Sequence, residues 1–157
     1  MTPALFDDLE RDEGLRLSAY PDPATGGAPW TIGYGHTGPE VHAGLTWTQG
    51  QATDALHGDV ARAVAALDAL LPWWRTLDDV RQDCMAELCF NMGIGFPAEG
   101  GRPGHGLRSF VQTLGAIRAG RYAAAAEGLL ASHWAGEVGA RADRLAGMMR
   151  DGVRPAP

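Results

Sequence analysis

Near the start of the chain, Glu13, Asp22 and Thr31 have types and a spacing suited to chemistry. Gly14 supplies the left-handed residue that ends a helix, so Glu13 is expected on a corner between a short helix and a strand, the latter alternating through Leu15, Leu17 and Ala19. The C-terminal end of a helix carries partial negative charge, which favours the protonated carboxyl that a general acid needs. Asp22 lies in a Pro-Asp-Pro turn, a polar loop where a carboxylate stays solvated and ionised. Two carboxyls in unlike surroundings are the pattern by which acid and base work is divided.

Thr31 falls in a stretch expected as one strand, Trp30 to His36. Its two-residue period sets Trp30, Ile32, Tyr34 and His36 on one face and Thr31, Gly33 and Gly35 on the other. Bare glycines in a strand mark close approach of a ligand or of other backbone, so a hydroxyl on that face could position a water or a substrate. Taken singly, a Glu before Gly is a helix end, an Asp between prolines a turn former, and a strand Thr a matter of β propensity. Their combination carries the reading.

The strings Glu13-Gly14-Leu15-Arg16-Leu17 and Thr31-Ile32-Gly33-Tyr34-Gly35-His36 resemble the catalytic hairpin of the phage-type lysozymes, glycoside hydrolase family 24, which includes the T-even phage enzymes. The resemblance spans residues 3–152 and is densest over 13–36 and 134–150. It implies an α+β, mainly helical, lysozyme-like fold in a single domain over 1–157. A small N-terminal lobe with a β-hairpin (about 1–58) would be joined by a linking helix (about 48–71) to an all-helical C-terminal lobe (about 72–152). It also implies a muramidase, cleaving the β-1,4 bond between N-acetylmuramic acid and N-acetylglucosamine of peptidoglycan with inversion. Glu13 would protonate the leaving oxygen, Asp22 would stabilise the oxocarbenium-like transition state, and Asp22 with Thr31 would place the attacking water. No cofactor and no metal are expected. The spacing from Asp22 to Thr31 is longer than the family's usual one, so residues 24–29 must loop out without moving Asp22.

Further positions follow from the same resemblance. Trp134 and Arg141 have the family's spacing, with Arg141 reaching Glu13; a guanidinium there would favour the ionised carboxyl, in contest with the helix end. His36 would form an ion pair with Asp59. Phe90 and Thr113 fall at substrate-contacting positions, although Phe90 reads equally as core, and Gly128 stands where the family has an Asn contact. Peptidoglycan is the expected partner of a monomer that makes no stable membrane insertion. It would accumulate in the host cytoplasm and be released to the wall with a holin-type partner. A non-catalytic wall-binding module of the same fold, and a lytic transglycosylase that needs only Glu13, are the rival readings. The intact Glu13, Asp22 and Thr31 oppose the first.

Composition bounds these expectations. The 157 residues, 45% apolar and 20% charged, suit one compact unit with a sizeable core. Every basic residue is Arg. Residues 1–60 hold nine acids against Arg11 and Arg16, net −7, whereas residues 61–157 hold ten acids against eleven Arg, net +1. An acidic chain is a poor candidate for nucleic acid, and it gains no electrostatic steering toward anionic bacterial walls. No apolar run approaches the ~20 residues of a membrane span. The acids at positions 7, 8, 10, 12 and 13 are unlike a secretory signal. Cys84 and Cys89, on one helix, would stand roughly 8 to 9 Å apart, too far for a disulfide.

The elements that must hold these residues read as follows. A first helix covers 3–13, with Leu5, Phe6 and Leu9 as its apolar face. Thr48-Gln49-Gly50-Gln51 forms a capping box for a helix running to Leu71. Pro72-Trp73-Trp74 breaks it, and Thr76 is the expected cap of a helix that turns apolar all round over Cys84 to Met92. Glycine-rich residues 93–106 read as a loop, a mobile rim of the cleft. Helices follow over roughly 107–118, 121–131 and 139–150, and a frayed tail over 153–157.

Overall fold

The structure, a computed structural model, describes residues 1–23 and 25–155. The chain divides into two compact units: residues 3–62, and residues 63–157 together with Met1 and Thr2. It is mainly helical with one small antiparallel sheet. No helix among the described residues is long and apolar enough to cross a membrane.

The first unit opens with α1 (Pro3–Glu13). Leu5 and Leu9 lie on its fully buried stripe, and the Phe6 ring stacks on His57 with centroids 4.2 Å apart. Strands β1 (Arg16–Pro21), β2 (Trp30–Gly33) and β3 (His36–Thr37) follow in a sheet ordered as in the sequence. Arg16 pairs with Gly33, Tyr20 with Thr31 and Pro21 with Trp30, and a bulge interrupts the first ladder. Ile32 pairs with His36.

That last pair corrects the expectation of a single strand from Trp30 to His36. Gly33 (φ +67°) and Gly35 (φ +79°) take left-handed backbone, which folds the stretch into a tight hairpin. Gly33 is also not on an open face. A β-carbon there would stand 3.2 Å from the Trp47 ring and 3.3 Å from Ala52.

Helix α2 (Gln49–Leu70) starts at the capping box. The Thr48 N–H donates to Gln51 Oε1 (2.8 Å) and the Gln51 N–H to Thr48 Oγ1 (3.3 Å). Ala52, Leu56, Val60, Ala63 and Leu67 recur every three or four residues and are buried, as one apolar helix stripe should be.

In the second unit a 3-10 turn, Pro72–Thr76, precedes α3 (Asp79–Met92). The cap of α3 is Asp78, not Thr76: the Asp78 carboxylate accepts from the Arg81 N–H at 3.0 Å, while the Thr76 hydroxyl donates to the Trp73 carbonyl within the preceding turn. Seven successive residues of α3, from Asp83 to Cys89, are buried. Both cysteines are free thiols. Burial pushes the Cys89 thiol up to about 11, and that of Cys84 higher still.

Two acids in this run were not expected inside. Asp83 accepts from the Thr2 N–H (3.1 Å), the Thr2 hydroxyl and Arg154 Nη2 (2.8 Å). Glu87, with no exposed surface, accepts from both terminal nitrogens of Arg144. The expected loop over 93–106 is a hairpin instead, closed by reciprocal backbone bonds between Phe96 and His105 and between Glu99 and Arg102.

A 3-10 turn (Leu107–Ser109) leads to α4 (Val111–Arg118), α5 (Tyr122–Leu130), α6 (His133–Val138) and α7 (Ala140–Asp151). Helix α6 is additional to the expected set. Arg81 closes α7 by donating to the Met149 and Arg150 carbonyls at 2.7 and 2.9 Å, with its guanidinium 3.7 Å over the Tyr122 ring. Of the expected frayed tail, Ala156 and Pro157 lie outside the described residues.

Candidate active site

Glu13, Asp22 and Thr31 all belong to the unit of residues 3–62. Glu13 is the last residue of α1 and is half-buried. The turn ends on Gly14 (φ +67°), whose N–H donates to the Glu10 carbonyl at 3.1 Å. The side chain then reaches the β2–β3 turn, where a β-carbon on Gly35 would stand 3.1 Å from Glu13 Oε2. Gly35 is therefore bare because a carboxylate lies against it.

Asp22 follows the last ladder pair, Pro21 with Trp30. Its N–H is shared between the Gly27 (3.0 Å) and Pro29 (3.1 Å) carbonyls, and its own carbonyl accepts from Gly26 at 2.8 Å. Thr25 adds a bond to the Ala28 carbonyl and accepts one from the Gly27 N–H, each 3.2 Å. The longer connection is thus closed upon the Asp22 backbone; Ala24, within the stretch expected to loop out, lies outside the described residues. Thr31 sits on β2, half-buried, one residue in from Trp30 and paired with Tyr20 and Thr37. Asp22 and Thr31 thus stand at the same end of one ladder, roughly 8 Å apart between α-carbons by strand spacing.

On β3, His36 is buried between two acids. Its Nδ1 lies 2.9 and 3.1 Å from the Asp59 oxygens, and its Nε2 lies 2.8 Å from Glu40 Oε1. Arg62 pairs with Asp59 in turn. The His36 hydrogen bond holds the Glu40 carboxyl below the usual carboxylate range. Glu40 is not among the expected site residues; its signal in the sequence is the turn-forming Gly38-Pro39, which brings an acid back toward the histidine four residues earlier.

The remaining expected positions lie in the other unit. Arg141, on α7, has only a tenth of its side chain exposed, and its Nε is 3.9 Å from Glu87 Oε1. Trp134 donates from Nε1 to Asn91 Oδ1 at 2.7 Å. Phe90 is half-buried on α3. Thr113 is 7% exposed and lies against Gly128, where a β-carbon would come 2.5 Å from the Thr113 hydroxyl oxygen. A groove of about 820 Å³ opens in this unit, lined by Asn91, His105, Phe110, His133, Trp134 and Glu137 among others. It combines aromatic faces with polar edges, a mixture suited to an amphipathic ligand.

A family model described as phage lysozyme matches residues 10–151, a span that contains Glu13, Asp22 and Thr31. The endolysins of Lactococcus phage c2 and Lactococcus phage phivML3 are each 38% identical to this chain over 96 residues, 60% of the chain. The match spans 40% of the length of each of these curated relatives.

Proposed function

The chain belongs to the phage lysozyme family, and from that premise we propose that it is a peptidoglycan hydrolase. More narrowly, we infer a muramidase that cleaves the β-1,4 bond between N-acetylmuramic acid and N-acetylglucosamine. The observation that carries the reading is the placement of Glu13: a half-buried carboxyl at a helix end, against the Gly35 backbone, in the same small unit as Asp22 and Thr31.

In this mechanism Glu13 gives its proton to the glycosidic oxygen as the bond to the anomeric carbon breaks. The developing oxocarbenium ion is stabilised by the Asp22 carboxylate. Thr31 and Asp22 hold a water that attacks from the opposite face and gives up a proton to the Asp22 carboxylate as its C–O bond forms, so the product is inverted; such sites keep their two carboxyls ~6.5–9.5 Å apart to admit that water. Phe90 and Thr113 are proposed substrate contacts, and Arg141 and the His36–Asp59 pair are proposed supports of the site. A single lysozyme-like domain over residues 1–157 is part of the proposal. As an endolysin, it would act as a monomer, accumulate in the host cytoplasm and reach the wall at lysis with a holin-type partner.

The test is mass spectrometry of purified peptidoglycan digested by wild type and by Glu13→Gln. Reducing muramic ends that fall by roughly a thousandfold in the variant are expected, the scale of losing a general acid. Anhydro-sugar ends would move the reading to a lytic transglycosylase, and intact polymer to a wall-binding module.

A further inference from the structure

The hairpin over residues 96–105 is a built element. Gly100 and Gly101, at φ +56° and +80°, make its two-residue turn between Glu99 and Arg102. At its base the backbones nearly touch. A β-carbon on Gly95 would fall 1.7 Å from the His105 carbonyl oxygen, and one on Gly106 would fall 2.8 Å from that of Gly93. The glycines therefore buy close backbone packing, and the side chains above are presented from a fixed base.

Those side chains form a second cavity, of about 430 Å³, lined by Phe96, Pro97, Glu99, Arg102 and Arg108. The Arg102 guanidinium lies 3.8 Å over the Phe96 ring. Stacking uses the face of the fork and leaves its N–H edges for an anion. Arg108, half-buried, commits one nitrogen to the Gly95 carbonyl at 3.4 Å. Two guanidinium groups in one small cavity favour an oxyanion that can be gripped at two points. Glu99, in the same lining, opposes a polyanion by like-charge repulsion and can accept from an amide or ammonium. Phe96 and Pro97 add a small apolar wall.

We propose that this cavity binds the free carboxylate end of a short peptide, its guanidinium groups on the carboxylate and its apolar wall against the terminal side chain. The choice of occupant rests on the peptidoglycan reading, since the stem peptides of that polymer end in carboxylates. An anionic phosphate polymer is the rival source of negative charge.

The test is an amide-resolved NMR titration of the Glu13→Gln protein with N-acetyl-L-lysyl-D-alanyl-D-alanine, its C-terminal amide, and inorganic phosphate. The acid is expected to shift resonances over 96–108 at concentrations up to about 10 mM, where a millimolar site saturates. Amidation, Arg102→Gln or Arg108→Gln is each expected to weaken the effect roughly tenfold or more, as loss of a charge-assisted contact does. No shifts, equal response to acid and amide, or phosphate binding as tightly as the peptide would each overturn the proposal. Glu13→Gln still binds in this assay even if the chain is not a muramidase, so failure here and failure of the digest are read separately.

Discussion

The carboxylate of Glu13 lies against the α-carbon of Gly35, so that a β-carbon on Gly35 would approach Glu13 Oε2 to 3.1 Å. Gly35 therefore has two reasons to be glycine, its φ of +79° and its neighbour. Gly44, at φ +81°, has nothing within 4 Å of a built β-carbon, which makes it a control for the first reason alone. Alanine at either position is expected to cost about 1 kcal/mol of stability by urea unfolding, from the left-handed backbone. Only Gly35→Ala should also lose wall-lytic rate, by roughly tenfold or more, because it displaces the proposed acid. Equal activity of the two variants would remove Gly35 from the site.

Glu87 is expected to be the most costly single acid to change. It has no exposed surface, accepts from Arg144 and lies 3.9 Å from Arg141. Neutralising one member of a buried ionic cluster leaves the other charge uncompensated, so Glu87→Gln should lose roughly 3 kcal/mol or more in urea unfolding. Asp143→Asn, exposed on the same α7, should stay within about 0.5 kcal/mol. A Glu87→Gln protein as stable as that control would overturn this account of the cluster.

Acid sensitivity should run through exposed acids with basic partners. The hydrogen bond from Arg75 holds the Asp68 carboxyl below its ordinary value, and that from His36 does the same for Glu40. Each contributes stability above the unfolded carboxyl value, ~3.9 for Asp and ~4.3 for Glu. The contribution is lost as pH falls through the lowered folded value. Burial moves Asp83 the other way, against the Thr2 hydrogen bonds; its ionised form costs stability, and that cost fades as pH falls through its raised value. In melting curves recorded from pH 6 to 3, Asp68→Asn should lose less on the acid side than wild type. Parallel curves would count against the Asp68 contribution.

The two thiols should be silent in the native protein. Cys84 and Cys89 are buried, and burial raises both, so at pH 8 the reactive thiolate of Cys89 is about one part in a thousand. Ellman's reagent should titrate two thiols in urea and react at least ~100-fold more slowly without it. A fast native reaction would place a thiol at the surface.

Local chemistry made some of this legible and distance hid the rest. Helix α1 was readable to its ends because Pro3 and Gly14 punctuate it, and α2 because Thr48 and Gln51 cap each other. The choice of Asp78 over Thr76 turned on the 3-10 turn at Pro72–Thr76, which claims the Thr76 hydroxyl. Helix α6 is six residues long, too short for periodicity to register. The Trp30 to His36 stretch alternates as one strand should, and only the left-handed glycines break it. In the candidate site, Glu13, Asp22 and Thr31 could be named because each sits in a short distinctive string. The Glu87 cluster could not, because Glu87 finds Arg144 57 positions away, a pairing no local pattern encodes.

The bonds of Asp83 also bear on the order of assembly during translation. Its partners are Thr2, 81 positions earlier in the chain, and Arg154, 71 positions later. Every residue of the 3–62 unit precedes Asp83 and Arg154 in the chain, so that unit need not wait for this carboxylate to find its second partner. The helical unit must instead keep Thr2 within reach until Arg154 has been made, and only then are both partners of its buried carboxylate present.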